Sequence, residues 1–158
     1  VRLMNEGRNE QQVLTAMHYP DELFAVPWMK PTYGDPSYIV RDIYRSENGW
    51  WDRNPTTLHP EPPEAVGEAV AAAITDKAAV IASAQALADA GRWQLALHVI
   101  DLLATASGPA PEIAQARRLK ARWLRERARQ VPSYVSRNLY RVGADMIEQG
   151  TQDRFGIH

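Results

Sequence analysis

Cysteine is absent from this chain of 158 residues. The absence excludes disulfide bonds, thiolate metal ligands and a cysteine nucleophile, and it is compatible with a reducing compartment. Long hydrophobic runs are absent too, because no apolar stretch approaches the about 20 residues that a spanning helix needs. We therefore expect no membrane span in these residues. The compartment stays open, with the cytoplasm as the preferred expectation.

An excess of charge of one sign is also missing. The formal net charge is -1, with 45% hydrophobic and 23% charged residues, which is typical of a soluble globular protein and not of a disordered tail or a membrane protein. A basic face is nevertheless formed by Arg118, Arg122, Arg125 and Arg129. These arginines recur at spacings of four, three and four, so they predict the solvated side of an amphipathic helix. No stacking platform accompanies them, and we expect no nucleic-acid partner.

Acidic residues in the helices that precede the basic face are candidates to neutralise its positive charge. The residues expected to do so are Glu61, Glu64, Glu68, Asp76 and Asp89. Such pairing would occur across a helical bundle or between subunits.

Catalytic motifs are likewise missing. None of the four histidines, His18, His59, His98 and His158, has metal-ligand spacing, and neither HxHxDH, HExxH nor GxSxG occurs. His98 shares a predicted helix face with Gln94 and Asp101, which favours a solvated His98–Asp101 pair over a metal ligand. His59, between prolines, is predicted to be structural. Asp52 is predicted to be a turn residue that caps nearby amides. No catalytic or metal-binding residue is therefore assigned.

A proline-rich connector divides the sequence into two unlike parts. A helix is predicted to end at Asn48-Gly49, since glycine readily adopts the positive φ of a helix end. The connector then carries Pro55, Pro60, Pro62 and Pro63. Short helices are predicted before it and an alanine-rich helical bundle after it, because alanine favours helices and permits their close approach. The predicted parts are residues 1–60, the bundle 61–150 and a loosely held tail 151–158.

Local signals give the helix boundaries. Asn9, Asp21, Asp35 and Asp76 are predicted to cap helix starts, and Gly91 to form a corner between two helices. The predicted bundle helices are 64–74, 76–91, 92–106, 112–130 and 133–149.

The segment around Gly91 resembles a tetratricopeptide-type helical hairpin. Trp93 is predicted to fill the cleft between its helices, and Leu97 and Ile100 continue the apolar stripe at spacings of four and three. Trp123 lies on the apolar stripe of the later basic helix. Only about one and a half repeats are present, whereas about three are needed for a stable solenoid, so we predict a local hairpin. A free-standing tetratricopeptide-like module that binds a partner peptide remains an alternative.

The run Gly49-Trp-Trp-Asp-Arg-Asn-Pro55, followed by Leu58-His-Pro60, resembles the alkylsulfatases of the metallo-β-lactamase superfamily. In that family a similar aromatic run introduces a helical dimerisation domain. This chain has Arg53 where the family commonly has glycine. Further matches to the family are Leu3-Met-Asn-Glu-Gly7, Tyr33-Gly34, Ala90-Gly-Arg-Trp-Gln-Leu-Ala96, and Arg137-Asn138 with Tyr140. Together they cover about residues 1 to 150.

The resemblance implies an all-α, non-catalytic dimerisation region that forms a homodimer. It also implies a binuclear zinc centre for sulfate-ester hydrolysis, in a catalytic domain of the same or a companion chain. Because the sequence begins at Val1 instead of methionine, we expect that domain to precede it. Where many members have a histidine-asparagine pair, this chain reads Tyr38-Ile39-Val40-Arg41, which leaves the substrate open.

Two groups of residues are candidates for packing roles. Tyr33, Trp50 and Trp51 are expected to pack against the catalytic domain, with contact to an alkyl chain of the substrate as the alternative. Trp93, Leu97, Ile100 and Trp123 are expected to pack the bundle or the dimer. An enzyme active by itself is a third hypothesis, which would require hydrolysis by this chain with added zinc.

Overall fold

The computed structural model describes residues 1–150 of the chain. This described part contains nine α-helices and no strand, which confirms the predicted all-α class. It divides into two compact units: Val1–Pro60 with Pro132–Ser136, and Glu61–Val131 with the chain from Arg137 onward. None of its helices has the length and hydropathy to cross a bilayer. The predicted tail, 151–158, lies outside the described residues.

The first unit contains short helices whose ends follow local sequence signals. They are α1 (Arg2–Asn5), α2 (Glu10–Ala16), α3 (Asp21–Ala25) and α4 (Pro36–Asn48). Helix α2 begins with the predicted cap Asn9, which forms a capping box with Gln12. Helix α4 begins with Asp35 accepting a hydrogen bond from the backbone of Ser37, and it ends at Gly49, where φ is 75°.

Helix α3 differs from its predicted start. Asp21 is the first helical residue, Pro20 is the capping residue, and no side chain caps the first turn. Asp21 and Glu22 instead place carboxylates in that turn, where the positive end of the helix dipole favours negative charge. The predicted capping bond of Asp21 is therefore wrong.

A small core holds α2 and α4 together. Met4, Val13 and Tyr44 are buried in it. At its edge Arg41 of α4 forms an ion pair with Glu10 of α2. Tyr44 is 1% exposed, and its hydroxyl has no hydrogen-bond partner among the described residues.

The second unit contains the long helices. They are α5 (Pro63–Ala73), α6 (Lys77–Asp89), α7 (Trp93–Ala104), α8 (Pro111–Gln130) and α9 (Tyr134–Gln149), whose first turn belongs to the first unit. Helices α5 and α8 begin at a proline, one residue before their predicted starts, because the first helical position needs no amide hydrogen. Asp76 caps α6 as predicted by accepting from the backbone of Ala79.

The corner between α6 and α7 is a Schellman motif. Gly91 has φ of 73°. Its N–H donates to Ala88 (2.9 Å), and the N–H of Arg92 donates to Leu87 (2.8 Å). Both bonds satisfy carbonyl groups that the last helical turn leaves free. The predicted hairpin is present at this corner, while its likeness to a tetratricopeptide repeat stays a prediction.

Helix α7 is central to the core of this unit and packs against α5, α6 and α8. The last turn of α7 is contacted by both α8 and α5. Arg117 of α8 donates from Nε to the carbonyl of Ala104 (3.2 Å) and from a terminal nitrogen to that of Ala106. Gly67 of α5 lies so close that a Cβ there would come within 2.8 Å of Thr105. These contacts fix the end of α7 between α5 and α8.

Candidate functional site: two interaction surfaces

The aromatic segment after α4 is organised by its own side chains. The carboxylate of Asp52 accepts from the N–H of Asn54 (2.9 Å) and from the hydroxyl of Thr57 (2.7 Å). The side-chain oxygen of Asn54 accepts from the N–H of Thr56 (3.2 Å). The indole of Trp51 donates to the carbonyl of Asn54 (3.2 Å). Asp52 is therefore a turn residue, as predicted, and the segment holds a defined shape.

These bonds change the acidity of Asp52. The hydroxyl of Thr57, followed by the N–H of Asn54, lowers the pKa of the Asp52 carboxyl below its ordinary value. Both donors favour the charged carboxylate. The carboxyl group acts here as an acceptor that organises the turn, which does not require a proton-transfer role.

Arg53 explains the departure from the family's glycine in structural terms. Its φ is 68°, the left-handed region in which glycine is free of steric cost. A terminal nitrogen of Arg53 donates to the side-chain oxygen of Asn48 (2.9 Å). This bond partly compensates the strain of an arginine at a position that favours glycine.

The two tryptophans of the segment differ in exposure. Trp50 is 74% exposed, whereas Trp51 is half-buried. Both line a cavity of about 280 Å³ together with Glu10 of α2 and Tyr44 of α4. Trp50 is therefore the more exposed of the two tryptophans and directly precedes the hydrogen-bonded turn.

Tyr33 lies elsewhere in the first unit, beside the start of α9. Its ring is 76% exposed and stacks on Tyr134, with ring centroids 6.3 Å apart and planes at 17°. Its carbonyl accepts from the N–H of Val135 (3.0 Å) and from the hydroxyl of Ser133 (3.0 Å). Ser133 is fully buried and also accepts from the N–H of Ser136 (3.2 Å), as a helix cap does. The ring of Tyr33 is therefore exposed, while its backbone carbonyl is held by two hydrogen bonds.

The predicted packing residues of the bundle lie inside the second unit. Leu97 is buried, Ile100 and Trp123 are both 0% exposed, and Trp93 packs partly buried against this core. The indole nitrogen of Trp123 has no hydrogen-bond partner among the described residues. Because Ile100 and Trp123 are enclosed by their own chain, the surface available to another molecule is formed by other side chains.

Two leucines outside the predicted set lie partly exposed on the second unit. Leu95 and Leu102 of α7 remain 38% and 43% exposed. The signal was present in the sequence, because α7 carries apolar residues on more than one side. The single apolar stripe of Trp93 and Ile100 does not include these two leucines.

The basic face of α8 finds acidic partners, but not those expected. Arg125 contacts Asp145 (2.8 Å) and Glu148 (2.5 Å) of α9, and these hydrogen bonds raise its pKa. Arg129 pairs with Glu126 one turn earlier in its own helix. The expected acidic partners lie in the helices before α7. In the structure, Arg125 lies next to α9 and therefore pairs with the carboxylates of that helix.

The predicted His98–Asp101 pair is also replaced. Asp101 contacts the ammonium of Lys120 (2.7 Å), while the His98 ring lies 3.5 Å from the amide of Gln94. A lysine carries a full charge at neutral pH, so it is the stronger partner for a carboxylate. Residues 1–150 contain no group of three or more His, Asp or Glu side chains arranged to hold a metal ion. His158 lies outside the described residues.

The fold places the described part of the chain among the all-helical proteins. More specifically, it belongs to the alkyl sulfatase dimerisation family, whose model matches residues 9–150.

Relatives of the chain are named as sulfatases that act on alkyl esters or on alkyl and aryl esters. It is similar to alkyl/aryl-sulfatase BDS1 of Saccharomyces cerevisiae, with 30% identity over 98% of this chain and 23% of the relative. It is also similar to an (R)-specific secondary-alkylsulfatase of Pseudomonas sp., with 28% identity over 95% of this chain and 22% of the relative. Among solved structures, the stereoselective inverting sec-alkylsulfatase Pisa1 from Pseudomonas sp. matches with a TM-score of 0.79 and 29% identity, over 98% of this chain and 24% of that one. The chain therefore spans about a quarter of the length of these proteins.

Proposed function

We propose that this chain is the dimerisation region of a sulfuric ester hydrolase of the alkylsulfatase type, and that the hydrolytic residues lie outside these 158 residues. The family match over residues 9–150 carries this proposal. It is supported by relatives named alkylsulfatases, of which the chain covers 23% and 22%.

Zinc enters only through the resemblance to the metallo-β-lactamase superfamily. The described residues do not fit a binuclear zinc site, because they include no cluster of three potential ligands. We therefore assign the zinc ions to a catalytic domain of the same or a companion polypeptide, and no step of hydrolysis to this chain. The cytoplasm stays the expected compartment, and no nucleic-acid partner is proposed.

The aromatic residues of the first unit are proposed to pack against that catalytic domain. Trp50 is 74% exposed beside the turn organised by Asp52, and Tyr33 is 76% exposed although its carbonyl accepts two hydrogen bonds. Large aromatic side chains in a preorganised setting are typical of binding hot spots. Contact between Trp50 or Trp51 and an alkyl chain of the substrate is a finer version of the same proposal.

Two measurements on the purified chain test the main proposal. Sedimentation equilibrium should give the mass of a dimer at micromolar concentration, and an alkyl sulfate with added zinc should not be hydrolysed. A strictly monomeric chain that binds extended peptides would instead favour the tetratricopeptide-like alternative. Sulfate release by the chain alone would contradict the assignment of chemistry to another domain.

The role of the tryptophans is tested by replacing Trp50 and Trp51 together by alanine. Binding of the chain to the catalytic region of its parent should weaken, while helicity and unfolding midpoint of the isolated chain should change little. Trp28→Ala is the matched control, since Trp28 lies in the same unit, is 84% exposed and is outside the aromatic segment. Equal loss of stability in the isolated chain would show that the pair serves internal packing.

A further inference from the structure

The end of α4 carries a pair of residues that can modify itself chemically. Asn48 is the only asparagine of the sequence that is followed by glycine. In such a pair the backbone nitrogen of the glycine can attack the side-chain amide carbon of the asparagine, because glycine has no Cβ to obstruct the approach. A cyclic succinimide forms and ammonia leaves.

This deamidation needs only water as a co-reactant. A bond forms between the nitrogen of Gly49 and Cγ of Asn48, the bond between Cγ and Nδ2 breaks, and the proton of the Gly49 amide leaves with Nδ2 as ammonia. Water then opens the ring at either of its carbonyl groups, which gives aspartate or isoaspartate. Both products carry a carboxyl group where the chain had a neutral amide.

The reacting groups of this pair are engaged in hydrogen bonds in the structure. The N–H of Gly49 donates to the carbonyl of Arg45 (2.9 Å). Nδ2 of Asn48 donates to the carbonyl of Tyr44 (3.4 Å), and Oδ1 of Asn48 accepts from a terminal nitrogen of Arg53 (2.9 Å). Ring closure turns the side chain of Asn48 towards the nitrogen of Gly49, and this motion breaks these bonds.

We propose that Asn48 is a deamidation site that the folded end of α4 protects, and that Arg53 is the side chain that controls its rate. The bonds to Arg45 and Tyr44 use carbonyl groups of the last helical turn, which any helix end leaves available. The bond from Arg53 is particular to this chain segment, because it comes from five residues further on, at a φ of 68°. It is also charge-assisted, since a guanidinium stays protonated.

A cation on Oδ1 also has an opposite effect, because it draws electron density from the amide carbon and favours attack. The protective effect outweighs it here. The nitrogen of Gly49 attacks only after the helix end has opened, and the side-chain motion that closes the ring also breaks the bond to Arg53.

The products would change the segment that follows α4. Aspartate places a negative charge at the end of the helix where the dipole disfavours it. Isoaspartate adds one carbon to the main chain directly before Gly49, and Trp50 and Trp51 follow at once. Deamidation is therefore coupled to the position of the aromatic segment.

Removal of the guanidinium tests the role of Arg53. The full chain is incubated in mildly alkaline buffer, and deamidation is followed by peptide mapping with mass spectrometry. Arg53→Ala should accelerate deamidation of Asn48 about 5-fold, as expected for the net loss of one hydrogen bond. Alanine keeps a Cβ, so the backbone strain at this position remains. Arg8→Ala is the matched control, because Arg8 is an exposed arginine of the same unit outside the end of α4.

An unfolded sample and an internal control complete the experiment. In guanidinium chloride the wild-type chain should react faster than when folded, and Arg53→Ala should react at the wild-type rate. Asn54 should stay intact in every map, because the nitrogen of Pro55 carries no hydrogen.

Each other outcome overturns a stated part of the inference. An unfolded chain that keeps Asn48 intact contradicts the site. Equal rates for the folded and unfolded wild type contradict protection by the helix end. A folded Arg53→Ala chain that reacts at the wild-type rate contradicts control by Arg53, and a slower reaction would show that the guanidinium activates the amide instead.

Discussion

The contact between α5 and the end of α7 yields a prediction whose size follows from the structure. At Gly67 a Cβ would lie 2.8 Å from the carbonyl carbon and the hydroxyl of Thr105 and 2.9 Å from its carbonyl oxygen. Two of these atoms are backbone, so Gly67→Ala forces the helices apart. Such overpacking costs about 1–3 kcal/mol, while alanine gains about 1 kcal/mol of helix propensity over glycine. We expect a net destabilisation of about 1 kcal/mol, with the overpacking cost outweighing the propensity gain.

Gly143 of α9 is the matched control. A Cβ there would meet only Leu124, at an ordinary 3.6 Å. Gly143→Ala should therefore keep the propensity gain and stabilise the chain by about 1 kcal/mol. The difference between the two variants isolates the packing cost at Gly67.

Urea unfolding followed by circular dichroism measures both variants. The unfolding midpoint should fall for Gly67→Ala and rise for Gly143→Ala with unchanged slopes. Because the proposed dimerisation would make stability depend on concentration, all samples need the same protomer concentration. Equal stabilisation by both substitutions would refute the close approach of α5 to Thr105.

Four further changes test single contacts. Thr57→Val removes the largest cause of the low pKa of Asp52, so this pKa should rise towards its ordinary value in a carboxyl NMR titration. The lowered pKa stabilises the turn above the ordinary pKa, and this stabilisation is lost as the pH falls through the folded pKa. An unchanged titration would contradict the hydroxyl contact. Arg53→Gly should leave stability unchanged or raise it by up to about 1 kcal/mol, because relief of left-handed strain exceeds the entropy cost of glycine, and a clear fall in the urea midpoint would contradict this. Ser133→Ala should destabilise the first unit by about 1 kcal/mol, since the amide of Ser136 loses its side-chain acceptor and the carbonyl of Tyr33 loses one of its two donors. Hydrogen exchange at the start of α9 reports this loss, and unchanged protection would count against the cap. Tyr44→Phe removes a buried hydroxyl without a partner, so we expect the urea midpoint to stay equal or rise, and a large fall would reveal a hidden hydrogen bond.

Helix boundaries were accessible to sequence reasoning because their causes are local. Asn9, Asp35 and Asp76 cap the amides of residues two or three positions on, and Gly49 and Gly91 adopt the positive φ expected of helix ends. Each signal acts within about one helical turn. The turn at Asp52 was predictable for the same reason. Asp21 failed as a cap because a carboxylate also stabilises the first turn from inside the helix.

Contacts between distant residues were not accessible in this way. Nothing near Ser133 in the sequence indicates that its hydroxyl binds the carbonyl of Tyr33, which lies 100 residues away. Similarly, Asp101 had a histidine in its own helix as a candidate partner, and only the packing of α7 on α8 brought Lys120 within 2.7 Å. Side-chain pairing follows the helix arrangement, which short-range patterns do not specify.

The amino-acid sequence by itself determined an all-α chain, the ends of its helices, its division at a proline-rich connector and its resemblance to the alkylsulfatases. Helix propensity, capping residues and motif residues act over a few positions, so their effects can be read from the sequence alone. Only the tertiary structure decided which apolar residues are enclosed and which stay exposed. Leu97 and Leu102 are the same residue type on the same helix, yet they are 4% and 43% exposed. That difference is set by the neighbouring helices, because burial depends on packing in three dimensions.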